Sequence, residues 1–329
     1  MRSPELLSVV APMHNEEGTV DALYERVRTA VGDMAFELVL VNDGSTDGTR
    51  EMLDRLAETD PRVAIVHLSR SFGHQAALTA GLEHARGNAI VMLDGDLQDP
   101  PEVIPGMVER WREGAEVVYA VRSDRAGETR MKLATARWFY KLFAKVAQVD
   151  LEQNSGDFRL LDRRALDALL AMRERNRFLR GMTVWIGFTQ TAIPYERDAR
   201  HAGETKYTPR KMLRFAFDAI TSFSWLPLQA ATLLGFFFSM VAFVGLPLVI
   251  AARIAGVYVP GVSSVLFAVL LLGGIQLITV GLIGEYVGRI YDEVKGRPLY
   301  VVEARRNIDV AGPASPAPVE SAPTPPTPR

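Results

Sequence analysis

The sequence has no cysteine in its 329 residues. That absence excludes disulfide scaffolds, thiolate zinc sites and cysteine nucleophiles together, so any chemistry must come from oxygen and nitrogen groups. It also lacks an excess of either charge, with 37 Lys and Arg against 39 Asp and Glu and a formal net charge of −2. No overall basic field marks it as a nucleic-acid binder, and nucleic acid is not expected as a partner. The N-terminus, MRSPELLSVVAPMHNEE, has neither a long apolar core nor a small-residue cleavage site, so no signal peptide is expected. No GxGxxG follows the first apolar run, which argues against a dinucleotide redox cofactor. Charge is also missing locally: there is none from Ala219 to Ala252, nor from Ile254 to Gly284.

A membrane-spanning helix needs about 20 apolar residues, and segments 225–252 and 262–288 each supply them with room for tilt. An even number of crossings puts both flanks on one side. Those flanks carry Arg210, Lys211 and Arg214 before the pair, and Arg289, Lys295, Arg297, Arg305 and Arg306 after it. The positive-inside rule makes that side cytoplasmic. The expectation is a multi-pass protein of the cell inner membrane with both termini cytoplasmic. The competing reading, a buried hairpin in a soluble core, is weakened because such helices seldom run so long without a charge.

The first 120 or so residues alternate apolar, β-rich runs (LLSVVAP, FELVLVN, VAIVHLS, AIVMLD, EVVYAV) with amphipathic stretches. In the first such stretch Val20, Leu23, Tyr24, Val27 and Val31 recur at helical spacing. Strands apolar on both faces and separated by helices argue a parallel sheet covered on both sides, an α/β, Rossmann-like architecture. The expected organisation is a cytoplasmic domain over 1–208, a juxtamembrane amphipathic helix over 209–224, the two spans, a cytoplasmic segment over 289–308 and a tail over 309–329. The tail, rich in Pro and Ala, cannot bury a core and is expected to be disordered.

Ligands of such sheets bind beyond the carboxyl ends of the strands. After the second run comes VNDGSTDGT, with Asp43 at the strand end before a turn that caps the next helix. After the fourth comes LDGDLQDPPE, with Asp94 and Asp96 two residues apart and Gln98 close behind. On an extended chain residues two apart face the same way, so these carboxylates would converge. Such pairs also occur in solvated turns, but this one ends on the same sheet edge as Asn15, Glu16 and Asp43. Adjacent carboxylates repel unless a proton or cation sits between them, and hard oxygens suit Mg²⁺ or Mn²⁺ bridging a diphosphate. The stretch from Arg122 to Lys145 is the most basic in the chain, and its Leu133, Trp138, Phe139, Leu142, Phe143 and Val146 recur near helical spacing. That pattern suits an interfacial helix, and equally an ordinary amphipathic surface helix.

The segments VAPMHNEE, VNDGSTDGT, SRSFGHQAALTAGL and LDGDLQDPPE resemble those of the inverting GT-A glycosyltransferases of family 2. The later segments SGDFRLLDRRAL, FLRGMTVWIGF, RHAGETKY and GEYVGRIYDEVKGRPLYVV are similar to the polyprenyl-phosphate glycosyltransferases. Among these are dolichol-phosphate mannose synthase and the bacterial bactoprenol glucosyltransferases, and the likeness to the latter runs from about Leu6 to Val302. The resemblance implies transfer of a hexose, with glucose from UDP-glucose as first expectation, onto undecaprenyl phosphate. GDP-mannose, UDP-galactose and UDP-GlcNAc stay open as donors.

The resemblance further implies that Pro12, His14, Glu16 and Asp43 hold the nucleoside, that Asp94 contacts donor and metal, and that Asp96 with Gln98 coordinates the metal. The acceptor phosphate is assigned to Arg122, Lys132 and Thr135, with Arg130 and Arg137 close enough in sequence to serve instead, and with Arg159, beside Asp157, counted in the same group. Arg200 and Lys206 belong to a loop expected to close over the diphosphate. Asp157 matches the position proposed for a catalytic base. A phosphate monoester is already largely dianionic at neutral pH, so Asp157 could instead orient the acceptor or its cations. Gly284 and Gly288 form a GxxxG that permits close helix contact, and the resemblance implies a homo-oligomer, a tetramer in some relatives. A processive polysaccharide synthase would carry more helices and a QxxRW signature, and neither is present. A catalytically inactive scaffold or sensor would have no need to keep this set of carboxylates and arginines.

Overall fold

A computed structural model describes residues 4–122, 155–196, 226–256 and 261–308. The first apolar run forms β1 (Leu7–Met13), buried along its whole length. It pairs in parallel with β2 (Phe36–Asn42) on one side and β4 (Ala89–Met92) on the other, and β2 pairs in parallel with β3 (Val63–Leu68). Parallel neighbours need crossovers, and these are α1 (Val20–Val31), α2 (Thr49–Thr59) and α3 (His74–His84). Alternate residues of β1 face opposite layers. Leu7, Val9, Ala11 and Met13 pack in the core with Leu23 and Val27 of α1 and with Met107 and Trp111 of α4 (Ile104–Arg112). Val10 packs in the other layer with Leu78 and Leu82 of α3.

Beyond β4 the sheet becomes mixed. β6 (Ser155–Asp162) runs antiparallel to both β4 and β5 (Val117–Arg122), and β7 (Gln190–Tyr195) lies parallel to β5. The strand order is β7-β5-β6-β4-β1-β2-β3-β8. The expected parallel sheet therefore holds for β3-β2-β1-β4 and for the β5-β7 pair, with antiparallel β6 between them. Asp162 ties this wing together: it accepts from Trp111 Nε1 (2.9 Å) and caps α5 (Arg163–Ala171) through Arg164 N (3.0 Å). The short helix α6 (Leu179–Trp185) follows.

Among the described residues the charge-free segments contribute to two long helices, α7 (Leu226–Ile254) and α8 (Val262–Val294). Among the described residues one stretch, Leu271–Val294, is long and apolar enough to cross a membrane, and none of it is buried. The apolar stretch Ala231–Gly245 of α7 is shorter. α8 runs on past 288 to Val294, taking in Glu285, Arg289 and Asp292.

Segment 289–308 carries an element that the sequence pattern did not suggest. β8 (Val302–Arg306) adds antiparallel to β3 at the sheet edge. Arg50 pairs with Glu303 (3.0 Å), Arg306 with Asp54 (2.9 Å), and Tyr300 donates to Glu83. Arg175 N donates to Glu293 Oε1 (2.7 Å), so the end of α8 is fastened to the α/β domain from two sides. Segment 209–224, the tail 309–329, and Lys132, Thr135, Arg137, Arg200 and Lys206 lie outside the described residues.

Candidate active site

The carboxyl ends of β1, β2 and β4 open on one cavity of about 1220 Å³. Gly44 follows Asp43 with φ +61°, and a Cβ there would lie 2.4 Å from Ser71 N. Only glycine lets the two loops approach so closely. The approach allows the buried Asp43 carboxylate to accept from Phe72 N (2.7 Å), Gly73 N (3.0 Å) and Ser71 Oγ (2.9 Å). Asn15 joins the loops after β1 and β2: its N–H donates to Ser45 Oγ (3.0 Å) and its side chain accepts from Thr46 N (2.8 Å). The His14 ring contacts the Asp43 carbonyl at 2.8 Å. Pro12, His14, Glu16 and Asp43 all line the cavity.

Asp94 and Asp96 line it too, but in a turn rather than on extended chain; Leu97 just beyond has φ +59°. Their convergence comes from that turn, held by Thr19 Oγ1 donating to Gly95 O (2.9 Å). Gln98 is buried at 8% exposure and is not on the cavity wall. His74, at the start of α3, lies between two carboxylates, 3.5 Å from Asp94 and 3.4 Å from Asp157. Asp157, on β6, also accepts from Gln75 Nε2 (2.9 Å) and sits 3.7 Å from Arg180 Nε.

Electrostatics separate the two acids. Asp94 is 31% exposed as a side chain, yet its Oδ1 is enclosed without a hydrogen-bond partner. Desolvation, opposed by His74 and helped by Asp99, Asp157 and Asp96, pushes its carboxyl up to about 7. Asp157 is desolvated as well, but the His74 hydrogen bond and the charges of Arg180, His74 and Arg159 outweigh burial and hold it well below the carboxylate range. Burial would lower His74, and the carboxylates around it raise it instead. The two carboxyls are therefore pushed apart in proton affinity, Asp94 upward by desolvation and Asp157 downward by its cationic neighbours.

Arg122 lines the cavity and donates from Nε to Tyr195 OH (3.0 Å), which donates to Asp99 Oδ1 (2.6 Å). Arg159 is not on the wall: it is 1% exposed and spends its guanidinium on Gly156 O, Arg180 O and Thr183 Oγ1 beneath the site. The structure brings in residues that the motifs did not single out, namely His74, Gln75, Arg177, Arg180 and the end of α8. His74 and Gln75 stood in the HQAALTAGL run directly after a strand-end loop, and that position was the available signal. Gly284 and Gly288, whose spacing permits close helix contact, line this cavity.

A model of the family described as glycosyl transferase family 2 matches residues 8–170. An uncharacterized glycosyltransferase, YkcC, of Bacillus subtilis (strain 168) is 46% identical over 305 residues, covering 92% of this chain and 94% of that one. The SfII prophage-derived bactoprenol glucosyl transferase of Shigella flexneri is 42% identical, covering 90% and 97%. Among solved structures, mannosyl-3-phosphoglycerate synthase from Rubrobacter xylanophilus is 18% identical with a TM-score of 0.45, covering 66% and 72%.

Proposed function

The chain belongs to glycosyltransferase family 2, and on that premise we propose that it moves glucose from UDP-glucose onto undecaprenyl phosphate, with inversion at the sugar. The observation that carries this reading is one cavity lined both by the strand-end carboxylates and by the end of an apolar helix. A reaction between a soluble nucleotide sugar and a lipid phosphate needs such a junction. Relatives spanning nine-tenths of the chain, named bactoprenol glucosyl transferases, support the choice of sugar and lipid.

In this reading an acceptor phosphate oxygen attacks the anomeric carbon in line, and the nucleoside diphosphate leaves from the opposite face. The acceptor dianion needs no base. Asp157, ionised throughout the neutral range, serves to hold His74 and Arg180 rather than to take a proton. Asp43 fixes the 71–73 loop beside the nucleoside. Arg122, with Lys132, Thr135 and Arg137, gathers the acceptor phosphate, and Arg200 and Lys206 close over the diphosphate.

Asp94 and Asp96 offer hard oxygens, one of them enclosed and without a hydrogen-bond partner, and these fit Mg²⁺ or Mn²⁺. Among the described residues no three His, Cys, Asp or Glu form a cage, so the diphosphate would complete the ligand set, Gln98 being buried off the cavity wall. Bound there, the ion supplies neutralisation of charge on the leaving diphosphate. We further propose that α7 and α8 cross the inner membrane, with the catalytic domain over 1–208 and both termini cytoplasmic, and that the protein works as a homo-oligomer.

The test is transfer of labelled glucose to undecaprenyl phosphate in membranes, with and without chelator, beside a panel of other nucleotide sugars. Wild type should form lipid-linked glucose only with Mg²⁺ or Mn²⁺ present, and Asp96→Ala should lose about a hundredfold or more. Full turnover by Asp96→Ala after chelation would refute the metal assignment. No product from any donor would leave a scaffold or sensor in its place.

A further inference from the structure

We propose that the end of α8 is the acceptor-selecting wall of the site: the Gly284–Gly288 face and the nearby Arg177 and Arg180 form a slot for the phosphate and first isoprene units of a polyprenyl phosphate. This rests on the transferase reading and adds where the lipid enters and which residues read it.

Gly284, Gly288 and Asp292 are successive fourth residues on α8, one face of the helix, and that face lines the cavity. The upstream part of the same helix is the apolar stretch beginning at Leu271, unburied and suited to hydrocarbon. An apolar tail lying along this helix meets the cavity at Gly284, where the charge-free run ends and Glu285, Arg289 and Asp292 join the wall. Glycine is among the poorest helix formers, so the pair calls for a reason. The usual one is close contact with another helix. Here a Cβ at either position would meet nothing within 4 Å, and the space beside them is the cavity itself.

The arginines indicate what fills that space. Arg177 is only 8% exposed and lines the cavity. Its guanidinium is anchored by Met172 O and Thr79 Oγ1, while its Nε is enclosed without a hydrogen-bond partner. Arg180 Nε is likewise enclosed and unbonded, 3.7 Å from Asp157. Desolvated guanidinium donors left unsatisfied are costly, and an anionic phosphate oxygen satisfies them best. The backbone bond from Arg175 to Glu293 holds this segment against α8, so cationic and glycine surfaces belong to one slot.

The donor also carries phosphate, so the test separates the two sources. With the full chain in lipid nanodiscs, KM is measured for undecaprenyl phosphate, for UDP-glucose and for a short, water-soluble prenyl phosphate. Gly288→Leu strengthens the helix but fills the slot. It should raise the lipid KM about tenfold or more with the donor KM within about twofold. Arg180→Gln should lower kcat for long and short acceptors alike, with partial recovery in Arg180→Lys. Gly274→Leu, on the same helix away from the cavity, should behave as wild type. An unchanged lipid KM in Gly288→Leu would overturn the slot. So would a parallel rise in donor KM, or a changed oligomeric state with lipid KM intact. Wild type forming no lipid-linked sugar would instead refute the transferase reading itself.

Discussion

The two flanks of the cavity are built on opposite principles. On the nucleoside flank polar groups are satisfied within the protein: Asp43 takes three hydrogen bonds, Asn15 bridges two loops, and Gly48 N donates to Glu17 Oε2 at 2.8 Å. On the reaction flank Asp94 Oδ1, Asp157 Oδ1, Arg177 Nε and Arg180 Nε are enclosed without hydrogen-bond partners. The first flank is a finished frame whose bonds add stability; the second holds its charges in longer ion pairs, Asp94 with His74 (3.5 Å) and Asp157 with Arg180 (3.7 Å), that leave these atoms without hydrogen bonds. Buried unsatisfied groups cost stability, so they persist where function uses them.

If that contrast is real, substitutions on the two flanks should separate activity from stability. The largest effect should come from Asp157→Asn, which removes the charge anchoring His74 and Arg180. Single-turnover transfer should fall about a hundredfold or more while the melting temperature in detergent shifts little. Equal losses of both would erase the distinction. Asp43→Ala should do the reverse. It strands the buried N–H groups of Phe72 and Gly73, costing about 2–3 kcal/mol of stability together with a higher donor KM.

The smallest effect tests the frame by pH alone. Asp60, between Tyr24 OH (2.8 Å) and Arg62 (2.8 Å), is held down at about 2 from an ordinary 3.8, the Arg62 hydrogen bond outweighing burial. Its folded pKa is depressed, so its contribution is complete above about pH 4 and is lost as pH falls through about 2. Because Arg62 is 48% exposed, solvent screening discounts the contribution to about 1 kcal/mol. Melting at pH 6 and pH 3 should differ less for Asp60→Asn than for wild type, and identical pH dependence would count against the pairing.

Legibility followed sequence distance. The strands β1 to β5 and the helices between them could be read because burial on both faces imposes apolar runs, and helix packing imposes a 3.6-residue period. Asp43, Asp94 and Asp96 could be read because strand ends in such sheets face the ligand. The antiparallel direction of β6 could not, since pairing direction depends on how the chain returns, which local pattern does not encode. β8 was missed because VEARR on an exposed edge has no apolar signature. Arg159 and Arg180 look equivalent in sequence, yet one is consumed beneath the site and the other lines it.

The amino-acid sequence alone determined that this protein has an α/β domain with acidic strand ends and two charge-free helices, because each property is written in a local period or composition. Only the tertiary structure decided that His74 sits between Asp94 and Asp157, that the acids part in their proton affinity, and that Gly284 and Gly288 look into the cavity. Those facts depend on desolvation and on distances between residues far apart in the chain, and both exist only after the chain has packed.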